Sequence, residues 1–144
     1  MSEAELRFHL EEYKALRAEI ATYVKYTFDF FLYATAGSGL IAAWLLTHRS
    51  ELSAIVPVAG KVAGFIPLIL AVLAYMAVLH LIFIIGRTAR YCAKLEAVAA
   101  LPGLGWETFI RSEKTVSVPL VTTATQNGSW LVLIVADAIL AAFV

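Results

Sequence analysis

The sequence predicts an all-α membrane protein with three transmembrane helices and an N-terminal cytoplasmic amphipathic helix. Three observations carry that expectation. Residues 27–47 and 62–86 are apolar runs, each as long as the roughly 20 residues a helix needs to cross a bilayer. A third, more polar run closes the chain over residues 119–144. Lys and Arg residues are distributed unevenly between the segments, which is the signal that sets membrane orientation. Composition agrees: 61% of the 144 residues are hydrophobic and mean hydropathy is +0.82, whereas globular domains sit nearer half apolar.

The length suits one compact domain. It divides into a cytoplasmic amphipathic helix at 1–26, a first span at 27–47 and an outer loop at 48–61. A second span at 62–86, a cytoplasmic amphipathic loop at 87–118 and a third span at 119–144 complete it. Arg7, Lys14, Arg17 and Lys25 precede the first span, and only Arg49 and Lys61 separate the first from the second. Arg87, Arg90, Lys94, Arg111 and Lys114 lie between the second and third. Positive loops stay in the cytoplasm, so the amino terminus is expected inside and Val144 outside. The first 26 residues are charged throughout, with no short apolar region and cleavage site. A cleaved signal is therefore not expected, and the first span serves as the targeting signal.

Residues 3–26 read as one helix, free of Gly and Pro and rich in Ala, Leu, Glu, Lys and Arg. Ser2 followed by Glu5 suits a capping box. Leu6, Leu10, Tyr13, Ile20 and Val24 recur at helical spacing, with Arg17 interrupting the seam. Two readings stay open: a helix lying on the protein's own cytoplasmic loop or on the membrane surface, and self-association into a short bundle. Nothing separates this helix from the first span, so it can run unbroken into the membrane. Within that span Thr35, Gly39 and Ala43 stand at steps of four, a spacing that lets two helices approach closely in lipid. Trp44 marks the outer boundary as an interface anchor. The outer loop carries an apolar patch over 52–59 with Pro57, suited to dipping into the interface. Pro67 is expected in the first turns of the second span, where a proline costs little. Residues 88–101 form an Ala-rich amphipathic helix stopped by Pro102-Gly103. Beyond it Trp106 and Phe109 lie beside Ile110, Arg111 and Lys114. That mixture suits the headgroup layer; packing against the amino-terminal helix is the slightly favoured alternative.

The polar residues inside the spans carry the functional question. Placed on a helix, Thr123, Gln126, Asn127 and Asp137 fall within an arc of roughly 100°, shared with Trp130 and Ile134. A polar stripe on a membrane helix faces the bundle or a water-filled cavity. His80 lies roughly 9 Å inside Gly86 at the helical rise, at nearly the depth of Gln126, so a hydrogen bond from His80 to Gln126 or Asn127 is expected. Asp29 sits just inside the first span, with Tyr26 and Tyr33 on its face. These groups make either interhelical hydrogen bonds worth under about 1 kcal/mol each, or a polar path from Asp29 and His80 to Asp137. For His80 the structural account is favoured. For the stripe on the third span, four polar residues exceed what one helix contact needs.

Other classes are excluded by what is missing. Acids and bases balance at 11 each, so nothing points to nucleic acid. The single cysteine, Cys92, rules out an internal disulfide or a multi-cysteine metal site. Its neighbours Arg90 and Lys94 can favour the thiolate, although a lone cysteine is more often a small apolar filler. His9, His48 and His80 lie at different depths, so no haem-ligating pair forms. No zinc-protease, nucleophile-elbow or phosphate-loop pattern occurs. Neither enzymatic activity, nor a cofactor, nor a metal is expected.

The run Glu12-Tyr13-Lys14-Ala15-Leu16-Arg17-Ala18-Glu19-Ile20 ahead of a span, with Gly105-Trp106-Glu107-Thr108-Phe109 after the second, resembles small uncharacterised bacterial inner-membrane proteins. The order of charged helix and membrane hairpin is similar to that of predicted pore-forming effectors of bacterial defence operons, from which the third span departs. The resemblance implies a bacterial inner-membrane location and transfers no residue role. The resulting expectation is a homo-oligomeric pore or channel-like protein lined by the third span. The alternative is a non-catalytic accessory or scaffold subunit of a larger membrane complex. An intramembrane enzyme or proton carrier using His80 and Asp137 ranks last, because the two lie at opposite depths. The partners expected are the bilayer and either further copies of the chain or a larger complex.

Overall fold

The computed structural model of the chain describes residues 2–55, 59–98 and 117–143, with side chains over 2–52, 62–98 and 126–143. Pro57, the side chains of Lys61 and Thr123, and the segment holding Trp106, Phe109, Arg111 and Lys114 lie outside the described residues. Helix α1 runs over Glu3–Thr47, α2 over Arg49–Ile55, α3 over Ala59–Val98 and α4 over Ser117–Phe143. Among the described residues three helices are long and apolar enough to cross a membrane: Glu3–Thr47, Val62–Val98 and Gln126–Phe143.

Helix α1 begins at the expected capping box. The Ser2 amide donates to Glu5 Oε2 at 2.6 Å and the Glu5 amide donates to Ser2 Oγ at 3.2 Å, so two amide donors at the helix start are satisfied reciprocally. From there α1 continues for 45 residues, about 68 Å at the helical rise. The charged segment and the first span are thus one helix. The same holds for α3, whose 40 residues join the second span to the amphipathic segment expected at 88–101. Pro67 departs from expectation, since it lies inside α3 and is among the most fully buried side chains. Its ring removes the amide that would bond the Ala63 carbonyl, a loss that packing neighbours can offset in a membrane helix.

The chain divides into two compact units, Met1–Thr27 with Leu79–Val118, and Phe28–Val78 with Pro119–Val144. In the first, the amino-terminal part of α1 lies against the carboxy-terminal part of α3. Two reciprocal hydrogen bonds join them: Tyr13 Oη donates to Glu96 Oε1 at 2.8 Å, and Tyr91 Oη donates to Glu12 Oε1 at 2.9 Å. Cys92 and Leu95 are buried beside them. The seam expected on α1 is split by this packing. Tyr13 and Ile20 are half-buried, whereas Leu6, Leu10 and Val24 are exposed. The amino-terminal helix therefore packs on its own chain, one of the two arrangements its periodicity allowed.

In the second unit α1 meets α4. Phe31 and Trp130 pack edge to face with ring centroids 5.1 Å apart. Seven residues further along each helix, Ser38 Oγ donates to Asp137 Oδ2 at 3.0 Å. Because the two contacts advance in the same order on both helices, α1 and α4 run parallel. Their seven-residue step is the repeat of coiled-coil-like packing. Helix α3 adds Tyr75, whose ring lies 5.5 Å from that of Trp130. Leu45, Ala71 and Ala141 complete a thin core.

Burial and the hydrogen bond to Glu96 push the Tyr13 phenol up from 10.0 to about 12. A group whose folded pKa is raised contributes stability that is complete below its unfolded value and lost as pH climbs through the folded one. Tyr13→Phe should therefore melt earlier than the wild type at neutral pH, by about 1 kcal/mol. The two should converge between pH 10 and 12 when unfolding in detergent is followed by circular dichroism.

Candidate functional site: the polar contacts of the third span

The polar residues of α4 divide between two environments. Asp137 is 5% exposed and Ser38, its hydrogen-bond donor, 2%. Hydroxyls on a helix usually bond a carbonyl one turn back, and Thr22, Thr35 and Thr47 do so, to Ala18, Phe31 and Ala43. Ser38 instead reaches across to the carboxylate. An unpaired polar group in hydrocarbon costs several kcal/mol, and the face of α4 that carries Asp137 and Trp130 is the face turned into the unit. Leu131, Val132, Val135 and Ile139 cover the opposite side and are exposed, as residues facing lipid would be.

Asn127 marks the edge of that buried face and is exposed, while Gln126 is half-buried. Asn127 Oδ1 accepts from Tyr75 Oη at 3.4 Å, a long contact by hydrogen-bond standards. The expected donor, His80, belongs to the other unit and has an exposed side chain. Tyr75, Asn127, Gly128, Leu131 and Ile134 line an open cleft of about 300 Å³. Trp130 is 1% exposed, and among the described residues its Nε1 finds no acceptor. The ring is held by its faces and edges, not by its polar atom. Asp29 is half-buried on α1. Asp29 and Asp137 belong to one compact unit and His80 to the other.

Thr35, Gly39 and Ala43 are all exposed, and a Cβ built on Gly39 meets nothing within 4 Å. Among the described residues the close helix approach expected along this row is not made. Trp44 is exposed and stacks on His48, with centroids 5.0 Å apart. Among the described residues no group of three or more His, Cys, Asp or Glu side chains could hold a metal ion. Periodicity had singled out Asp137 but not Ser38, Tyr75 or Phe31. The available signal for Ser38 was a hydroxyl inside an apolar run, one heptad after an aromatic residue. Comparison with protein-family models, curated proteins and solved structures found no match for this chain.

The Ser38–Asp137 contact can be weighed by a double-mutant cycle. Ser38→Ala leaves a buried carboxyl without its donor and should destabilise the chain by about 1–2 kcal/mol. Asp137→Asn, which can still accept, should cost less. The pair Ser38→Ala with Asp137→Leu should recover much of the loss, because removing both partners leaves nothing unsatisfied. Equal costs for Ser38→Ala and Thr35→Ala in an SDS-unfolding series would count against a stabilising contact.

Proposed function

We propose that this chain is a non-catalytic subunit of a bacterial inner-membrane assembly, accessory or scaffolding in role, with its amino terminus in the cytoplasm. The burial of Asp137 against Ser38 carries this reading. The costliest polar group of α4 is satisfied within one chain, so it does not need a water-filled lumen to explain it. What remains outward on the second unit is largely apolar: Phe28, Leu32, Leu40, Leu46, Leu73, Val132 and Ile139 are exposed. Thr35, Gly39 and Ala43 lie open beside them, a row that can admit another helix at short distance. The parallel course of α1 and α4 fits three successive crossings, with the two ends of the chain on opposite sides. The Lys and Arg distribution favours the amino-terminal side as cytoplasmic.

A second reading, the homo-oligomeric pore lined by the third span, draws support from Asn127. An exposed amide within a stretch otherwise suited to lipid is favourable only against water or another polar group. In that reading Gln126, Asn127 and the Tyr75 hydroxyl face the lumen, and Asp137 stiffens the wall.

Two measurements decide between them. Single cysteines at positions 61 and 111, labelled from outside the cell, should react at 61 only; the reverse pattern inverts the orientation. The particle purified in mild detergent should carry a second protein at fixed stoichiometry and pass no ions in liposomes. A closed ring of identical chains with ion flux, altered by Asn127→Leu, would select the pore. In either case Gly39→Leu should leave the isolated chain folded, because the space around it is open, while lowering the mass of the assembly.

A further inference from the structure

Helix α3 leaves its apolar stretch with Phe83, Arg87, Arg90 and Lys94 at steps of four, three and four, which places them on one helical face. Phe83 is 62% exposed, and the three basic side chains are exposed as well. Among the described residues the ion pairs are Arg7–Glu3, His9–Glu12 and Lys14–Glu11, and none of them involves these three cations. The acid nearest in sequence, Glu96, lies on the far side of α3, where it accepts from Tyr13. Arg87 to Lys94 covers about 10 Å along the axis, a length over which three cations can converge on one or two phosphates. An exposed aromatic ring immediately before them continues the apolar surface of the same helix.

We propose that Phe83, Arg87, Arg90 and Lys94 form a binding surface for the headgroup of an anionic phospholipid, with the ring against the upper acyl chain and the cations on the phosphate. This rests on the membrane reading of the three helices. Arg offers planar, bidentate donors to phosphate oxygens and Lys a point charge. A juxtamembrane cation gains about fivefold in association with an anionic leaflet, so three together amount to the order of a hundredfold. The gain weakens as added salt shortens the screening length.

The test uses the full chain in mild detergent, with phosphatidylglycerol or phosphatidylcholine added and bound lipids counted by native mass spectrometry. The wild type should retain phosphatidylglycerol over phosphatidylcholine. Arg87→Gln/Arg90→Gln/Lys94→Gln should lose that preference, by on the order of a hundredfold in lipid affinity. Arg7→Gln/Lys14→Gln, which removes cations already paired with Glu3 and Glu11, should keep it. Inorganic phosphate at matched concentration should not displace the lipid; full displacement would mean a phosphate site and not a lipid site. Equal retention of both lipids by the wild type, or an unchanged preference in the triple variant, overturns the proposal. Carbonate washing of reconstituted liposomes separates the two possible failures. Release of the protein sinks the membrane reading and the lipid site together, whereas firm insertion without lipid preference sinks the lipid site alone.

Discussion

A backbone amide away from water must find its partner within the chain, and a helix supplies that partner for every residue of an apolar run. Three such helices are long and apolar enough to cross a membrane among the described residues. Helices α1, of 45 residues, and α3, of 40, both extend beyond their apolar runs, into charged sequence rich in helix formers. Within them the hydroxyls of Thr22, Thr35 and Thr47 turn back onto their own helix. Few side chains are buried between the helices among the described residues.

The two compact units use different chemistry for this. In the first, phenols donate to carboxylates, Tyr13 to Glu96 and Tyr91 to Glu12. Each bond raises the phenol it involves, Tyr91 through Glu12 and Tyr13 chiefly through burial. Such pairs suit a setting where a carboxylate can keep much of its hydration. In the second, three aromatic rings, Phe31, Tyr75 and Trp130, pack against one another. Aromatic pairs add about 0.5–1.5 kcal/mol beyond burial, and the buried Asp137 carboxylate accepts from the Ser38 hydroxyl.

Much of the secondary structure is legible from periodicity and hydropathy. The capping box at Ser2 and Glu5, the unbroken passage from charged segment to span, and the start of the third helix near Pro119 are local properties. Local sequence determines them. Partner choice is not local. The arc containing Asp137 could be drawn from α4 alone, but nothing in α4 says that Ser38, 99 positions away, faces it. Depth along the axis suggested His80 for Asn127, whereas the contact within its own unit comes from Tyr75. Depth along a helix axis says nothing about rotation around it. The row at Thr35, Gly39 and Ala43 shows the converse: small residues permit close approach without requiring it, and here the space beside Gly39 is open. Pro67 was misplaced because α3 starts earlier than hydropathy alone suggests.

The equal spacing of the α1–α4 contacts has a mechanical consequence. Phe31 with Trp130 and Ser38 with Asp137 act like two teeth of one key. Sliding α4 along α1 by one helical turn, about 5.4 Å, would unseat both at once. A four-residue slip would set Asp137 opposite Ala34 or Ala42, which carry no hydroxyl to donate. The carboxylate thus penalises those two positions by the loss of its donor. A residue that adds little to stability can still act as the detent that stops one helix from creeping along another.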